Sequence, residues 1–164
     1  MIYYLTANGN GVSLDGTLPA GAVECTAAQY TNASAWEVKN GAIVAATPPA
    51  PTLAQQAAEA IAAGLTITLS GNMTLAATLF PTDPTTTAKI GAVVTAINAD
   101  GTFPGGATTF PMKDATGAWH TFNASQYKAV AGGIAAYVAA LNLIIDGNPL
   151  GATSLPANAV TLTV

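Results

Sequence analysis

The spacing of apolar and polar residues predicts strands in the first third of the chain. Residues 2–5 are apolar and aromatic and begin a strand, and the run Asn8–Gly11 supplies turn residues that tolerate positive φ. Residues 36–45 contain an alternating strand, an Asn-Gly turn and a returning apolar strand. One short helix capped by Thr26 fits between these strands. The pattern predicts a small N-terminal β module over residues 1–47.

A proline-rich segment follows this module. Pro48, Pro49 and Pro51 cannot continue a strand ladder or a helix interior, so residues 48–51 are predicted to form a stiff, extended connector. Residues 52–164 then form the C-terminal domain.

Three segments of the C-terminal domain have helical spacing together with start and stop signals. Residues 52–63 have high helix propensity, begin at a threonine cap and stop at Gly64. The second helix begins at Asp83-Pro84 and ends at Asp100-Gly101. The third begins at Asn123, with Gln126 in the capping-box position, and ends near Asp146-Gly147.

Short strands lie between and after these helices. Residues 65–69 alternate strictly, residues 110–112 and 118–122 form two strands around a turn, and residues 160–164 form a last strand. The chain is therefore predicted to be α+β: a small N-terminal β module, a proline-rich connector, and a C-terminal domain of about three helices with a small antiparallel sheet.

Two stretches near opposite ends of the sequence are similar to each other. Residues 18–26 and 155–163 agree at six of nine positions. Each is predicted to be an extended segment that begins at a proline and leads into a strand. Chance similarity in a low-complexity sequence is one explanation. The other is a pair of equivalent edge strands, which would suit a molecule that joins neighbours at both ends.

Charge is scarce along the chain, and this excludes two classes of partner. There are four lysines, no arginine and eight carboxylates, which gives a formal net charge of −4. Nucleic-acid binding needs several basic residues on one surface, and a basic membrane-surface helix needs them too. The uncharged run of residues 129–145 is short for a membrane span, is rich in Ala and Gly and contains Asn142, which favours a buried helix. We therefore expect neither nucleic acid nor a membrane as partner.

Candidate chemistry is equally sparse. A catalytic triad would need His120 as base, Ser125 or Ser13 as nucleophile and Asp114 as the acidic member. No nucleophile-elbow pattern surrounds any serine of the sequence. We therefore expect His120 to be a strand residue that is hydrogen-bonded next to a loop. Asp100 and Asp114 lie near predicted turns, where Asp bonds to the local backbone. The lone Cys25 is expected to be a small buried hydrophobe. The sequence predicts no enzyme, no metal and no cofactor.

Small residues in the third helix point to close packing instead. Two adjacent glycines in a helix cost about 2 kcal/mol relative to alanine, so they are retained where something packs at backbone distance. Such packing occurs either within the fold or across a subunit interface. The candidate interface residues, which include two from the last strand, are Gly132, Gly133, Ala136, Ala140, Val160 and Leu162.

Three features of the C-terminal domain resemble an uncharacterised domain of bacteriophage tail-fibre and tail-fibre-assembly proteins. These are the Phe103-Pro-Gly-Gly loop, the hairpin with Asp114, Gly117 and the His120-Thr-Phe sequence, and the helix that runs to Tyr137-Val138. The resemblance covers about residues 52–147. It implies a structural or assembly role without enzymatic activity, and it supplies no catalytic or ligand-binding residue.

The resulting expectation is a non-enzymatic structural or attachment component of a phage particle, at the tail fibre, tail tip or capsid surface. It would reside in the virion, and in the host cytoplasm during assembly, as a homo-oligomer in contact with other phage structural proteins. One alternative is a tail-fibre assembly chaperone absent from the mature particle. Another is a carbohydrate-binding module for a host-surface glycan, with Trp36 and Trp119 as stacking platforms. We expect both tryptophans to lie in the core, however, and a tryptophan in the core would not bind a sugar.

Overall fold

The computed structural model describes residues 1–148, 150 and 152–164. Within them the chain divides into two compact units, Met1–Ala50 and Pro51–Val164. The division falls inside the predicted proline connector. Helices and strands occur in both units, so the predicted α+β class is confirmed.

The N-terminal unit contains two small sheets. Strands β1 (Ile2–Thr6), β2 (Gly9–Ser13) and β3 (Val23–Cys25) form an antiparallel sheet in the order β2-β1-β3. Helix α1 (Ala27–Thr31) follows, with Thr26 and Gln29 forming a capping box. Strands β4 (Trp36–Lys39) and β5 (Ala42–Ala45) form the predicted Asn-Gly hairpin. Cys25 is buried, as predicted.

The C-terminal unit is larger and contains a single apolar core. Its elements in chain order are α2 (Leu53–Ala63), β6 (Leu65–Ser70), β7 (Leu75–Phe80), α3 (Pro84–Asp100), β8 (Thr109–Lys113), β9 (Trp119–Asn123), α4 (Ala124–Ile145) and β10 (Ala159–Thr163). The three helices begin at the predicted caps, Thr52, Asp83 and Asn123. Strands β8 and β9 form an antiparallel hairpin.

The three-stranded sheet of this unit has the order β10-β6-β7 and is mixed. Strand β7, which the sequence pattern did not predict, is antiparallel to β6. Strand β10 is parallel to β6, so the expectation of a purely antiparallel sheet is wrong. Parallel pairing requires a long crossover connection, and the helices between β6 and β10 provide one. At one end of β10 the turn after β6 fits closely against it, because the amide of Asn72 donates to the carbonyl of Val164 at 2.9 Å.

Helix α4 packs along the inner face of this sheet. By length and composition its 22 residues could cross a membrane, but one side of the helix lies in the core of the unit. The buried apolar residues of that side are Tyr127, Val130, Ala131, Ile134, Tyr137, Leu141 and Ile144. Their spacing places them on one helical face, which the sequence pattern predicted.

Candidate functional site

The β8–β9 hairpin is organised around the Asp114 carboxylate. Its Oδ1 accepts hydrogen bonds from the amides of Thr116 and Ala118 at 2.8 and 2.9 Å, and from the Thr116 hydroxyl at 2.7 Å. Its Oδ2 lies 2.8 Å from Nε2 of His120. Gly117 completes the turn with φ +92°, a conformation that residues with a Cβ rarely adopt.

These hydrogen bonds stabilise the ionised form of Asp114. The pKa of this carboxyl lies well below its usual 3.8, chiefly because of the hydrogen bond with His120 and then that with the Thr116 hydroxyl. Because an ionised carboxylate only accepts hydrogen bonds, Nε2 of His120 is the donor. Both oxygens of Asp114 are thus engaged in holding the turn.

His120 serves packing as well as this hydrogen bond. Its ring lies edge-on to Phe80, with centroids 5.9 Å apart, and stacks 6.4 Å from Phe122. Within the part of the chain that the structure describes, Asp114 is the one hydrogen-bond partner of its side chain. The candidate triad is not assembled, because Ser13 hydrogen-bonds to Asp15 in the N-terminal unit and Ser125 makes no hydrogen bond to His120. The prediction of a strand histidine hydrogen-bonded next to a loop is confirmed.

The Phe103-Pro-Gly-Gly loop also has a packing role. Phe103 is buried, stacks on Phe110 at 5.4 Å and meets Tyr127 edge-on at 5.5 Å. Gly105 and Gly106 both have positive φ, which lets the chain reverse direction directly after this anchor. Of the three features that carry the resemblance, the loop after α3 and the β8–β9 hairpin therefore both pack against α4.

The six predicted interface residues all line one groove on the C-terminal unit. Gly132, Gly133, Ala136 and Ala140 form its α4 side, and Val160 and Leu162 form its β10 side. The groove has a volume of about 610 Å³. We call it the α4–β10 groove. Lys128 is the one charged residue among its described lining residues.

The two glycines of α4 have different surroundings. A Cβ on Gly133 would lie 3.3 Å from Cδ1 of Leu162 and 3.8 Å from Cγ1 of Val160, so this glycine lets β10 pack close to the helix. A Cβ on Gly132 would meet no atom within 4 Å. Packing within the fold therefore accounts for Gly133, whereas Gly132 opens onto the groove.

The tryptophans do not share one environment. Trp36 is half-buried, but Trp119 is 64% exposed, so the expectation of a core position is wrong for Trp119. Strand alternation explains this, because Met112 and Phe122 are the buried residues of strands β8 and β9 and Trp119 points to the other face of the hairpin. The Nζ of Lys113 lies 5.3 Å from the Trp119 ring centroid. Both side chains border a concavity of about 340 Å³ that Lys89 and Pro111 also line.

No group of three or more His, Cys, Asp or Glu side chains suited to a metal ion occurs among residues 1–148, 150 and 152–164. Asp100, the other carboxylate considered for catalysis, is exposed at the end of α3. Neither carboxylate belongs to a cluster with the chemistry of a cation site.

Comparison with known proteins shows the family but no characterised relative. Neither the curated proteins nor the solved structures include a match to this chain. The model of one protein family matches residues 51–142, from the first residue of the C-terminal unit to near the end of α4. Because that match covers more than half of the sequence, the chain belongs to the family described as a domain of unknown function, DUF4376.

Proposed function

We propose that this protein is a non-enzymatic structural or attachment component of a bacteriophage particle, at the tail fibre, tail tip or capsid surface, and that it acts through protein–protein contacts. The observation that carries the proposal is the convergence of the six small and apolar positions on the α4–β10 groove. A largely uncharged concavity of this kind suits burial against another protein surface.

The state of the polar side chains supports a structural role. Asp114 uses both oxygens on the hairpin, and its contact with Nε2 fixes the ring of His120 there. A base at Nδ1 of His120 would need a nucleophile beside it, and neither Ser13 nor Ser125 hydrogen-bonds to His120. Buried polar groups satisfied in this way stabilise a fold.

The phage assignment rests on the resemblance of the loop at Phe103 and the hairpin from Asp114 to Phe122. In this protein both are packing anchors, since Phe103 stacks on Phe110 and His120 hydrogen-bonds to Asp114. The assignment is tested by detection of the protein in purified particles of the phage or prophage whose genome encodes it.

Mass spectrometry of gradient-purified virions is expected to detect the chain. The number of copies per particle is expected to be the same before and after a high-salt wash. If the protein is absent from particles yet fibres fail to assemble without it, it is an assembly chaperone and the proposal is wrong. If infectious particles form normally without the gene, the proposal is also wrong.

A matched pair of variants tests the groove itself. Ala136 and Ala139 are both exposed residues of α4, but only Ala136 lines the groove. Ala136→Glu is expected to reduce incorporation into particles several-fold, because it places a charge where a partner would bury an apolar surface. Ala139→Glu, the same change on the same helix, is expected to leave incorporation unchanged. Equal effects of the two variants would contradict a role for the groove.

Exposure of Trp119 favours a second candidate function, a carbohydrate-binding module for a host-surface glycan. An exposed aromatic ring beside a concavity with polar side chains is a common arrangement in ligand sites. Titration with oligosaccharides is expected to change the fluorescence of the protein and of its Trp36→Phe variant, but not of the Trp119→Phe variant. An unchanged spectrum in all three proteins would dismiss this candidate.

A further inference from the structure

Strand β10 has one paired edge and one open edge. The amide of Thr66 donates to the carbonyl of Asn158 at 2.9 Å, and the amide of Val164 donates to the carbonyl of Ser70 at 2.9 Å. Successive residues of a strand direct their backbone groups to opposite sides. The amides and carbonyls of Ala159, Thr161 and Thr163 therefore point away from β6. Over the described part of the chain, no strand pairs with that side of β10.

The opposite edge of the same sheet is protected. The amide of Ala115, in the β8–β9 turn, donates to the carbonyl of Leu79 on β7 at 2.8 Å. The hairpin thus covers part of the outer edge of β7, whereas the outer edge of β10 borders the α4–β10 groove. Of the two edges of this sheet, the β7 edge is therefore partly covered and the β10 edge is open to pairing with another strand.

Strand β10 also lacks the features that block edge pairing in soluble proteins. Natural edge strands are commonly protected by a charge, a proline, a bulge or short length. Residues 159–163 are uncharged and contain no proline, and their register with β6 is unbroken. Strand β3, the edge strand formed by the similar stretch near the other end of the sequence, has three residues and carries Glu24. Of these two edge strands, only β10 is unprotected.

We propose that β10 pairs antiparallel with β10 of a second copy of this chain, about a two-fold axis at Thr161. In that register Thr161 lies opposite its own equivalent and Ala159 lies opposite Thr163, so the open backbone groups hydrogen-bond to one another. Val160 lies opposite Leu162 of the second copy, on the side of the sheet that faces α4. The two three-stranded sheets become one continuous sheet of six strands.

A second copy fits this edge better than a charged partner strand does. Two-fold symmetry places each residue of β10 against β10 itself, so a charge near the axis would meet its like. The strand carries none, and its outward side chains at the centre are threonines, which pair well across strands. The inference deepens the proposed function, on which it rests for its biological role, by naming the partner and the mode of contact.

Charge substitutions at the axis test the pairing in the full-length protein. Sedimentation equilibrium of the unmodified chain is expected to show a dimer. Thr161→Lys and Thr161→Glu are each expected to weaken the dimer by about fivefold or more at low salt, because like charges then lie directly opposite. An equimolar mixture of the two variants is expected to regain the dimer. Thr68→Lys is the control: Thr68 is the register neighbour of Thr161 on β6, and the added charges would lie about 14 Å apart in the dimer.

A covalent cross-link gives an independent measurement of the same geometry. In a Cys25→Ala background, Thr161→Cys is expected to form a disulfide-linked dimer on mild oxidation, because opposed residues of a hydrogen-bonded antiparallel pair have Cα atoms about 5.5 Å apart. Thr68→Cys is expected to remain monomeric on a non-reducing gel. If the unmodified chain is a monomer at all concentrations, the proposed pairing is wrong. It is also wrong if the dimer is unaffected by Thr161→Lys and Thr161→Glu and if Thr161→Cys forms no disulfide-linked dimer. A monomer found in virions would refute the pairing alone, whereas a dimer absent from virions would refute the proposed function alone.

Discussion

Replacement of Gly132 and of Gly133 by alanine is expected to have different effects on stability, although the two residues are neighbours in α4. Alanine is better than glycine in a helix by about 0.8–1.0 kcal/mol. A Cβ on Gly132 meets no atom within 4 Å, so the unfolding free energy of the C-terminal unit should rise by about that amount. Both substitutions make the same change in helix propensity, and only the space around the new methyl group differs.

At Gly133 the gain is offset by crowding. The new Cβ would lie 3.3 Å from Cδ1 of Leu162, so that side chain must move by a few tenths of an ångström. Displacement of a side chain from its rotamer costs about 0.5–1.5 kcal/mol. The net effect of Gly133→Ala is therefore expected to be within about 0.5 kcal/mol of zero. Gly133→Val, which overfills the contact with β10, should lower stability by about 1–3 kcal/mol.

Thermal unfolding followed by far-UV circular dichroism measures this difference. The signal at 222 nm comes mainly from α2, α3 and α4, since α1 has only five residues. One kcal/mol shifts the midpoint of a domain of this size by about 4 °C. Measurement in the Thr161→Lys background removes pairing through β10 from the comparison. A lower midpoint for Gly132→Ala, or equal shifts for Gly132→Ala and Gly133→Ala, would refute the reasoning.

Three further predictions concern the hairpin and the sheet. The folded-state pKa of Asp114 lies below its usual 3.8, so its contribution to stability is present at neutral pH and is lost as the pH falls below about 4. The midpoint of urea unfolding, measured from pH 6 to pH 2.5, should fall accordingly. The His120→Gln variant should show a weaker dependence of this midpoint on pH, because the hydrogen bond with His120 is the main cause of the lowered pKa. Phe122 is fully buried against Phe80, so Phe122→Ala should cost about 3–5 kcal/mol in urea unfolding, and a cost below 1 kcal/mol would contradict its core position. Gly71 has φ +106° and directly faces the Val164 carbonyl, so Gly71→Ala should cost about 2 kcal/mol or more and speed amide exchange in β10; unaltered exchange there would show that this turn does not hold the strand.

Local signals predicted the helices of the C-terminal unit well. Asp83 accepts hydrogen bonds from the amides of Thr85 and Thr86, and Asn123 accepts one from the amide of Gln126. These contacts span two or three residues, so their geometry follows from the residue types and their spacing. The ends of α3 and α4 could therefore be located to within about one residue.

Strand β7 could not be predicted in this way. Residues 75–80 do not alternate, and the adjacent alanines Ala76 and Ala77 have no preference for a strand. The segment is a strand because Leu75 and Phe80 are buried in the core while its backbone pairs with β6. The parallel pairing of β10 likewise depends on contacts between distant parts of the chain, which periodicity does not encode.

The candidate site was predicted in part. Spacing along α4 indicated that Gly132, Gly133, Ala136 and Ala140 share a surface. One of the two explanations of the similar stretches at residues 18–26 and 155–163 was a pair of equivalent edge strands; β3 and β10 are both edge strands, but β3 pairs antiparallel with β1 and β10 pairs parallel with β6. The meeting of the helix surface with β10 in one groove follows only from the tertiary structure. The exposure of Trp119 was missed because a large aromatic residue is usually more buried on average.

The contact between Ser70 and Thr163 joins residues 93 positions apart, which has a consequence for the rate at which the protein folds. Closing so long a loop carries an entropic cost before any interaction repays it. The β6–β7 and β8–β9 hairpins close short loops and can form within microseconds. Addition of β10 is therefore expected to follow the packing of α4, against which Val160 and Leu162 lie. During that interval the edge of β6 that pairs with β10 is open, so chains that have not finished folding are most prone to associate at that stage.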